Sequence, residues 1–382
     1  MKKGIIIGAG IGGLTTAIAL AKKGIEVTVY EKSPEIKSLG AGIWIASNAL
    51  KIFERLGISD EVINSGMELL DISIIDTNNN LISKIDTQKV KQKHKFGTIA
   101  IHRSDLHKIL SSKISKENLI TNKCFKSFIQ ENGKVKSFFE DGTFVESDFM
   151  INADGIKSKA REQLFNPLNL RYSGQTCWRF VTDFQLEKSK KNTMYEIWAN
   201  SKGLRVGYSQ INDKETYCYI TNFVNSGIKD NKDTLTNDLL EMCNEFQPII
   251  KKLIKSVDSD KIIRSDISDF KPIKNWTSGN IALLGDAAHA TTPNLGQGAC
   301  QAIEDAFSIA EELSKTDNIS NAFLNYQKNR IKKATFITNN SWKFAQITNT
   351  SGFKKEIVKN LIKLTPNFFS EKQLDKIYEI NI

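Results

Sequence analysis

The fold is decided near the N-terminus by residues 4–13, which read GIIIGAGIGG and lead into a helical pattern over residues 14–23. An apolar run, a glycine cluster and a helix are typical of the strand–turn–helix unit that binds dinucleotides. Gly8, Gly10 and Gly13 have its G-x-G-x-x-G spacing. The first glycine permits the turn, the second lets the backbone approach a pyrophosphate, and the third lets helix and strand pack closely.

An acidic residue follows the second predicted strand, which spans residues 26–30. Glu31 lies about 20 residues after Gly13, the spacing at which a carboxylate accepts hydrogen bonds from ribose hydroxyls. Lys32, the next residue, is expected beside the same cofactor. The phosphates would lie at the helix N-terminus, where free N–H groups favour negative charge. This stretch predicts dinucleotide binding but leaves open whether FAD or NAD(P) is bound.

The composition argues against membrane-spanning, secreted and metal-binding proteins. The 382 residues are 40% hydrophobic and 25% charged, which is ordinary for a soluble protein with two lobes. No apolar run is long enough to span a bilayer, so no stable membrane insertion is expected. The first strand begins at residue 4, which predicts no signal peptide and a cytoplasmic location. The five cysteines and four histidines are scattered, which predicts reduced thiols and no metal site.

The net charge of +10 does not by itself indicate a nucleic-acid partner. The lysines are dispersed, often beside acidic residues, and no arginine-rich arm accompanies them. A solvated surface is the favoured interpretation, so no nucleic acid is expected as a partner.

Two later buried strands end in motifs that also fit a nucleotide domain. Residues 149–155 end in Asp154 and a glycine, and residues 280–286 end in a glycine and Asp286. Ligands of open α/β sheets bind at the carboxyl ends of strands, so both carboxylates are expected at the crevice. Between these strands, residues 171–223 alternate with period two and predict an antiparallel sheet.

These three motifs, in this order, resemble the class A FAD-dependent aromatic hydroxylases, a family of single-component monooxygenases. Residues 8–13 with Glu31 match the first motif, residues 152–161 the Asp-Gly motif and residues 285–306 the Gly-Asp motif. Residues 102–106 (HRSDL) resemble the family's flavin-contacting helix start. The resemblance implies that the dinucleotide is FAD, and that NAD(P)H is a co-substrate without a Rossmann unit of its own.

The implied fold is α/β: a Rossmann-like FAD-binding domain assembled from discontinuous segments, with an inserted antiparallel-sheet substrate domain and C-terminal helices. The expected FAD-binding domain comprises residues 1–70, 100–170 and 275–340, the substrate-binding domain residues 71–99 and 171–274, and the C-terminal helices residues 341–382.

The resemblance also assigns cofactor contacts. Asp286 is expected on the ribityl hydroxyls. The loop after residue 293 would place a helix N-terminus at the flavin edge that becomes anionic on reduction. The expected cofactor-binding residues are Gly8, Gly10, Gly13, Glu31, Lys32, Arg103, Asp154, Asp286, Gly296, Gln297, Gly298 and Ala299.

The implied reaction uses NAD(P)H and O2 to hydroxylate or epoxidise a small aromatic or planar substrate through a flavin hydroperoxide. The alternative is an FAD-dependent oxidoreductase of the same superfamily that inserts no oxygen. Within the monooxygenases, the chain is similar to urate hydroxylases, zeaxanthin epoxidases and tetracycline-inactivating enzymes.

Two residues of the inserted sheet are expected to be catalytic. Arg205 and Tyr217 lie on successive predicted strands, and an arginine can hold an anionic or polarised substrate through two hydrogen bonds. A structural ion pair is the alternative for Arg205. The pair resembles the Arg and Tyr of urate hydroxylases, but Cys177 stands where those enzymes place a urate-binding Asn, and a thiol cannot replace an amide. The stretch Cys177-Trp178-Arg179 is a further candidate for the lining of the site.

The C-terminal helices carry lysines beside apolar residues, notably over residues 354–364. Such a helix can lie on a membrane surface. Packing on the FAD domain is the commoner arrangement and is the one expected. The sequence does not specify the oligomeric state.

Overall fold

The computed structural model describes residues 2–36, 41–364 and 367–380. The few other residues of the expected domains (1, 37–40, 365–366 and 381–382) lie outside the described residues. The strands are β1 (Lys3–Ile7), β2 (Glu26–Tyr30), β3 (Gly42–Ile45), β4 (Met67–Leu69), β5 (Asp71–Asp76), β6 (Leu81–Asp86), β7 (Thr98–His102), β8 (Leu119–Ile120), β9 (Phe125–Glu131), β10 (Lys134–Phe139), β11 (Phe144–Ser147), β12 (Phe149–Asn152), β13 (Arg171–Thr182), β14 (Thr193–Trp198), β15 (Arg205–Gln210), β16 (Thr216–Phe223), β17 (Ile263–Asp269), β18 (Thr277–Ser278) and β19 (Ile281–Leu283). The helices are α1 (Ile11–Lys22), α2 (Ser47–Leu56), α3 (Ser59–Asn64), α4 (Thr87–His94), α5 (Arg103–Ser111), α6 (Lys159–Phe165), α7 (Leu235–Met242), α8 (Pro248–Lys255), α9 (Asp286–His289), α10 (Gly298–Lys315), α11 (Ile319–Thr348), α12 (Gly352–Leu364) and α13 (Asn367–Tyr378).

A six-stranded sheet collects strands from distant parts of the chain in the order β18-β19-β12-β1-β2-β8. β1 pairs in parallel with β2 and β12, and β12 pairs in parallel with β19. The carboxyl ends of β1, β12 and β19 therefore meet at one edge, where the glycine turn, Asp154 and Asp286 follow them.

A seven-stranded sheet has the order β17-β13-β16-β15-β14-β5-β6 and is antiparallel except between β14 and β5. Its two faces differ because side chains alternate along each strand. Trp178 and Phe180 belong to a core shared with α7 and α8, whereas Cys177 and Arg179 face a cavity on the opposite side. The predicted fold class, an α/β FAD domain with an antiparallel insert, is confirmed by this arrangement and by the similar structure described below.

The C-terminal helices α12 and α13 pack against different parts of the protein. α13 contacts α2 and α11, while α12 packs against β6, the edge strand of the seven-stranded sheet. The expectation that the lysine-bearing helix packs on the FAD domain was therefore wrong for α12. No helix among the described residues is both long and apolar enough to cross a membrane.

Candidate active site

The three motif glycines have different surroundings at the turn between β1 and α1. Gly8 has φ +101°, and a Cβ there would lie 2.5 Å from the Ala153 carbonyl oxygen. A Cβ at Gly13 would lie 2.0 Å from the Gly8 carbonyl oxygen. A Cβ at Gly10 would meet nothing within 4 Å. Gly8 and Gly13 are thus required by the protein itself, whereas Gly10 leaves open space before the N-terminus of α1, as a bound pyrophosphate requires.

Glu31 is fixed against this turn. Its Oε2 accepts a hydrogen bond from the Ala9 N–H at 2.8 Å and its Oε1 accepts one from the Ser33 N–H at 2.9 Å. Each carboxylate oxygen has a second lone pair, so the group can still accept bonds from ribose hydroxyls. Lys32 is exposed beside it.

Charged side chains from α5 and α9 interact across the crevice. Arg103 begins α5 and Asp286 begins α9. Desolvation lowers the pKa of the Arg103 guanidinium, and Asp286 acts in the opposite sense. Neither side chain is hydrogen-bonded to another side chain in the part of the chain that the structure describes, which leaves both able to contact a bound cofactor.

His107 joins this group and was not among the residues expected from the sequence. It lies one helical turn after Arg103, and both ring nitrogens are buried without a hydrogen-bond partner among the described residues. Burial and the nearby Arg103 lower its pKa to about 4, so the ring is neutral at pH 7. An i, i+4 relation to a predicted contact was the only signal of this position in the sequence.

The Asp-Gly and Gly-Asp motifs are joined physically by Arg161. This buried guanidinium donates to the Ala287 carbonyl oxygen at 3.1 Å and to the Ile156 carbonyl oxygen at 2.7 Å. Asp154 Oδ2 accepts from the Lys159 N–H at 3.1 Å, while its Oδ1 is buried without a partner among the described residues. Burial raises the pKa of Asp154.

The loop before α10 places backbone N–H groups beside the cavity. Gly296 has φ +62° and lies next to the Trp44 ring. The Gln297 side chain is held by Asn48 at 3.1 Å and by Gln301 at 3.2 Å. The N–H groups of the first residues of α10, which include Gly298 and Ala299, lack intrahelical partners, and the helix dipole favours an anion there.

A buried ionic network supports this loop from behind. Asp305 of α10 accepts hydrogen bonds from the Gly285 N–H at 3.1 Å, from His289 at 2.5 Å and from Arg330 Nε at 2.8 Å. Burial alone would raise the pKa of Asp305, but His289 and Arg330 lower it to about 2. Taken together, the open glycine, the unpartnered atoms of His107 and Asp154 and the free helix N-termini fit a bound FAD.

A cavity of ≈ 260 Å³ separates this loop from the seven-stranded sheet. Polar side chains line it from β13, β15 and β16, apolar ones from β5 and β6, and β14 contributes one of each kind, Glu196 and Met194. The polar group includes Arg179, Arg205, Tyr217 and Tyr219, and the apolar group includes Ile72, Ile74, Ile85 and Met194. Phe344 of α11 and Leu374, Ile377 and Tyr378 of α13 line the cavity from the C-terminal segment.

Two glycines leave room for the rings of the two tyrosines that line this cavity. A Cβ at Gly42 would lie 2.4 Å from the Tyr217 ring, and a Cβ at Gly207 would lie 2.2 Å from the Tyr219 ring. Burial raises the pKa of Tyr217, although Arg179 acts in the opposite sense, so the phenol stays protonated at pH 7.

The two cavity arginines differ in their partners. Arg205 forms a buried ion pair with Glu196 at 3.1 Å and donates to Asn294 Oδ1 at 2.8 Å. Glu196 also accepts a hydrogen bond from the Tyr219 hydroxyl. Arg179 donates to the Ser265 hydroxyl at 2.5 Å and has no ion pair within the described residues. The expected residues Arg205 and Tyr217 thus both line the cavity, but the cation without a counter-charge there is Arg179.

Comparisons with known proteins agree with this geometry. A family model described as "FAD binding domain" matches residues 2–341. Aurachin C monooxygenase/isomerase of Stigmatella aurantiaca is 35% identical over 350 residues, which are 91% of this chain and 90% of that protein. The 2-heptyl-3-hydroxy-4(1H)-quinolone synthase of Pseudomonas aeruginosa is 29% identical over 369 residues, which are 95% of this chain and 94% of that protein. The crystal structure of Klebsiella pneumoniae HpxO complexed with FAD and uric acid has a TM-score of 0.91 at 26% identity, covering 98% of this chain and 96% of that one.

Proposed function

The chain belongs to the FAD binding domain family and is an FAD-dependent monooxygenase, and we propose that its substrate is a planar aromatic compound carrying an apolar tail. NAD(P)H and O2 are the proposed co-substrates, which makes a cytoplasmic location the expected one. Bound FAD would supply electron transfer from NAD(P)H and the activation of O2. The observation that carries the substrate proposal is the division of the cavity wall into a polar and an apolar half.

This division follows the order of the strands. Arg179 and Tyr217 belong to the neighbouring strands β13 and β16, near one edge of the seven-stranded sheet. Met194, Ile74 and Ile85 belong to β14, β5 and β6, which end at the other edge. An aromatic head with a polar oxygen suits the first half, and a hydrocarbon tail suits the second.

Two of the similar proteins bear on whether the substrate of this chain has an apolar tail. The product named for the Pseudomonas enzyme has a heptyl chain on a 4-quinolone ring. Uric acid, which the HpxO structure contains, has no tail. A polar purine would leave the apolar half of this cavity unfilled, and Cys177 lacks the donors and acceptors of an amide.

We propose that Arg179 and Tyr217 bind the polar oxygen of the substrate's aromatic head. The unpaired guanidinium can hold a carbonyl or enolate oxygen, and the protonated Tyr217 phenol can donate to the same atom. Negative charge stabilised on that oxygen makes the adjacent ring carbon more reactive towards an electrophilic oxygen. Leu374 and Ile377 of α13 would close the cavity and exclude water, which protects the oxygen-transfer step.

Further residues are assigned to FAD. The pyrophosphate would lie over Gly10 at the N-terminus of α1, and Glu31 would bind the adenosine ribose. Arg103 and Asp286 would contact the cofactor from opposite sides of the crevice. The backbone over residues 296–299 would lie at the flavin edge that gains charge on reduction.

The dependence of turnover on the length of the substrate's alkyl tail tests the proposal. The purified holoenzyme is assayed with 2-alkyl-4-quinolones from methyl to nonyl, with urate and with a tetracycline. NADH or NADPH oxidation, H2O2 and products one oxygen heavier are followed. We expect kcat/KM to rise about tenfold for every two methylene groups that enter the apolar half.

Matched variants locate the tail. Ile72→Ser and Ile74→Ser together should flatten the dependence on chain length and leave the methyl compound almost unaffected. A wild-type enzyme indifferent to chain length would refute the tail, and faster turnover of urate would favour the urate hydroxylase reaction. Oxidation of NAD(P)H without an oxygenated product would favour the alternative without oxygen insertion.

A further inference from the structure

The helix α12 (Gly352–Leu364) exposes its apolar side and buries part of its charged side, which is the reverse of an ordinary surface helix. Its apolar side chains recur every three or four residues and are exposed: Phe353 by 80%, Ile357 by 44%, Leu361 by 62% and Leu364 by 78%. This spacing places them along one stripe of the helix. The opposite side faces the protein and carries Lys355 and Lys359, which are only 0% and 4% exposed.

Polar contacts attach α12 to the protein. The Lys355 ammonium donates to the Ser201 carbonyl oxygen at 2.8 Å, and the Lys359 ammonium donates to Asn200 Oδ1 at 3.2 Å. Lys359 also pairs with Glu356 at 2.5 Å. Two ammonium groups are thus desolvated while an apolar stripe faces outward. In water the hydrophobic effect favours the opposite arrangement, with the apolar side buried and the charges exposed.

The edges of the stripe are basic. With 3.6 residues per turn, Lys354 and Lys363 flank the stripe on its two sides. Both are exposed, and neither forms an ion pair with another described residue. Glu356 is the only acidic residue of the helix, and Lys359 engages it.

The surface continues beyond α12. Phe223 is 41% exposed, with the Lys202 ammonium 3.4 Å above its ring centroid. Phe223 and Asn349, the residue after α11, both lie beside Gly203. Another aromatic side chain paired with a lysine therefore lies close to the start of α12.

We propose that α12 is an interfacial helix that binds the surface of an anionic lipid bilayer, with Phe353 and Leu364 entering the acyl region and the flanking lysines contacting the headgroups. Apolar side chains bordered by cations are the arrangement that such surfaces favour. A second copy of this chain is a poorer partner because it would present the same positive charge. No helix that spans the membrane is needed for this mode of binding.

The position of α12 connects this surface with the cavity. α12 packs against β6, and Ile85 of β6 lines the cavity wall. A substrate with an apolar tail would partition into the bilayer and could enter beside this wall. This last step rests on the proposed function, whereas binding to the bilayer does not.

Vesicle co-sedimentation of the full-length holoenzyme, without substrate, tests the proposal. Phosphatidylcholine vesicles are compared with vesicles that also contain phosphatidylglycerol, at low and high salt. We expect binding to the anionic vesicles, weakened by salt, and at least about tenfold weaker binding for the double variant Phe353→Ser with Leu364→Ser. Lys354→Gln with Lys363→Gln should reduce both the binding and its salt dependence.

The matched control is Leu324→Ser, because Leu324 is 51% exposed near the other end of α11. It should bind vesicles like the wild type, and FAD absorbance verifies that every variant is folded. The proposal is overturned if wild-type protein ignores anionic vesicles or if the double variant binds equally well. It is also overturned if the stripe instead mediates a dimer or a protein complex that the double variant loses. Vesicle binding without turnover of tailed quinolones would refute only the proposed substrate.

Discussion

Among single residues, the two arginines of the cavity carry the clearest chemical distinction. Arg205 is paired with Glu196, and the same carboxylate also accepts a hydrogen bond from the Tyr219 hydroxyl, so the charge of Arg205 is balanced within a buried network. Arg179 donates to the Ser265 hydroxyl, interacts with the Tyr217 phenol and forms no ion pair among the described residues. A partly buried guanidinium without a carboxylate loses hydration on folding, and a hydrogen bond to a substrate oxygen would offset that loss.

Substitution of Arg179 by Gln should therefore act on substrate binding. Loss of a hydrogen bond to a charged group costs about 1.5–3 kcal/mol, so KM should rise roughly 10- to 100-fold. Arg179→Lys should restore part of the affinity because it keeps the charge but not the two parallel donors. Steady-state kinetics with the best substrate and flavin absorbance on titration measure both effects.

The contrasting variant is Arg205→Gln, which leaves Glu196 buried without its counter-charge. We expect it to lower the free energy of unfolding by about 3–5 kcal/mol. An Arg179→Gln enzyme with unchanged KM would exclude Arg179 from the substrate site.

The motif glycines permit a sharper separation between folding and cofactor binding. Gly10 has φ −69° and open space around its absent Cβ. Gly10→Ala should leave the apoprotein as stable as the wild type but weaken FAD binding, because its methyl group would occupy the space of the pyrophosphate. Gly13→Ala should instead destabilise the apoprotein, since its Cβ would lie 2.0 Å from the Gly8 carbonyl oxygen.

Urea unfolding of the apoproteins and fluorescence titration with FAD measure the two effects separately. Equal FAD affinity of the Gly10→Ala and wild-type proteins would show that the pyrophosphate does not lie over this turn.

At the scale of elements, α10 links the flavin-side loop to the buried core through Asp305. Since the pKa of Asp305 falls from the ordinary 3.8 to about 2 on folding, its stabilising contribution is complete above pH 4 and is lost as the pH falls towards 2. The size of the contribution is about 2 kcal/mol.

Asp305→Asn should remove that pH dependence and lower the free energy of unfolding by about 3–5 kcal/mol, because it leaves His289 and Arg330 without their carboxylate. Urea unfolding between pH 2 and pH 6 measures both effects. Glu311→Gln, on the same helix but in a surface pair with Lys23, should cost less than about 1 kcal/mol. Similar losses in the two variants would contradict the role of the network.

Element patterns of the sequence were informative where the signal is local. The glycine turn, the two strand-ending carboxylates and the period-two strands were predicted correctly, and the FAD cofactor and the monooxygenase family are confirmed. Pro248 is the first residue of α8, a position that proline favours because its missing N–H would have no partner there.

At the scale of the whole molecule, the cavity could not have been derived from the sequence. The pairing of Arg205 with Glu196 depends on which strands become neighbours, and the contribution of α13 depends on how a distant helix returns to the sheet. His107 became a candidate only because its two ring nitrogens are buried without partners among the described residues. Such features arise from long-range packing, which local sequence patterns do not encode.

The attachment of α12 should depend on pH through Lys355. Burial, together with Arg205 and Lys359, lowers the pKa of this ammonium from 10.5 to about 8, while Glu245 and Glu196 act in the opposite sense. Between pH 8 and 10.5 the unfolded state therefore binds more protons, and the stability of the docked helix should rise with pH. Proteolytic susceptibility of the C-terminal segment across this range measures the docking.

Lys355→Met should remove this dependence, since the uncharged side chain gains nothing from deprotonation. Lys363→Met, at an exposed position of the same helix, should behave like the wild type. A Lys355→Met protein that keeps the wild-type pH profile would assign the effect to another group.

The order of strands in the six-stranded sheet has a consequence for biosynthesis. β1 is flanked by β12, and β12 is in turn flanked by β19, which is translated more than 250 residues after β1 (Lys3–Ile7 against Ile281–Leu283). Residues travel out at about 5–20 per second, so the nascent glycine turn waits on the order of tens of seconds for Asp286. The crevice that contains all three motifs therefore forms only after β19 has been translated. The apolar strands β1 and β12 therefore lack a complete sheet around them until β19 has been translated, which is the interval in which aggregation of the nascent chain is favoured.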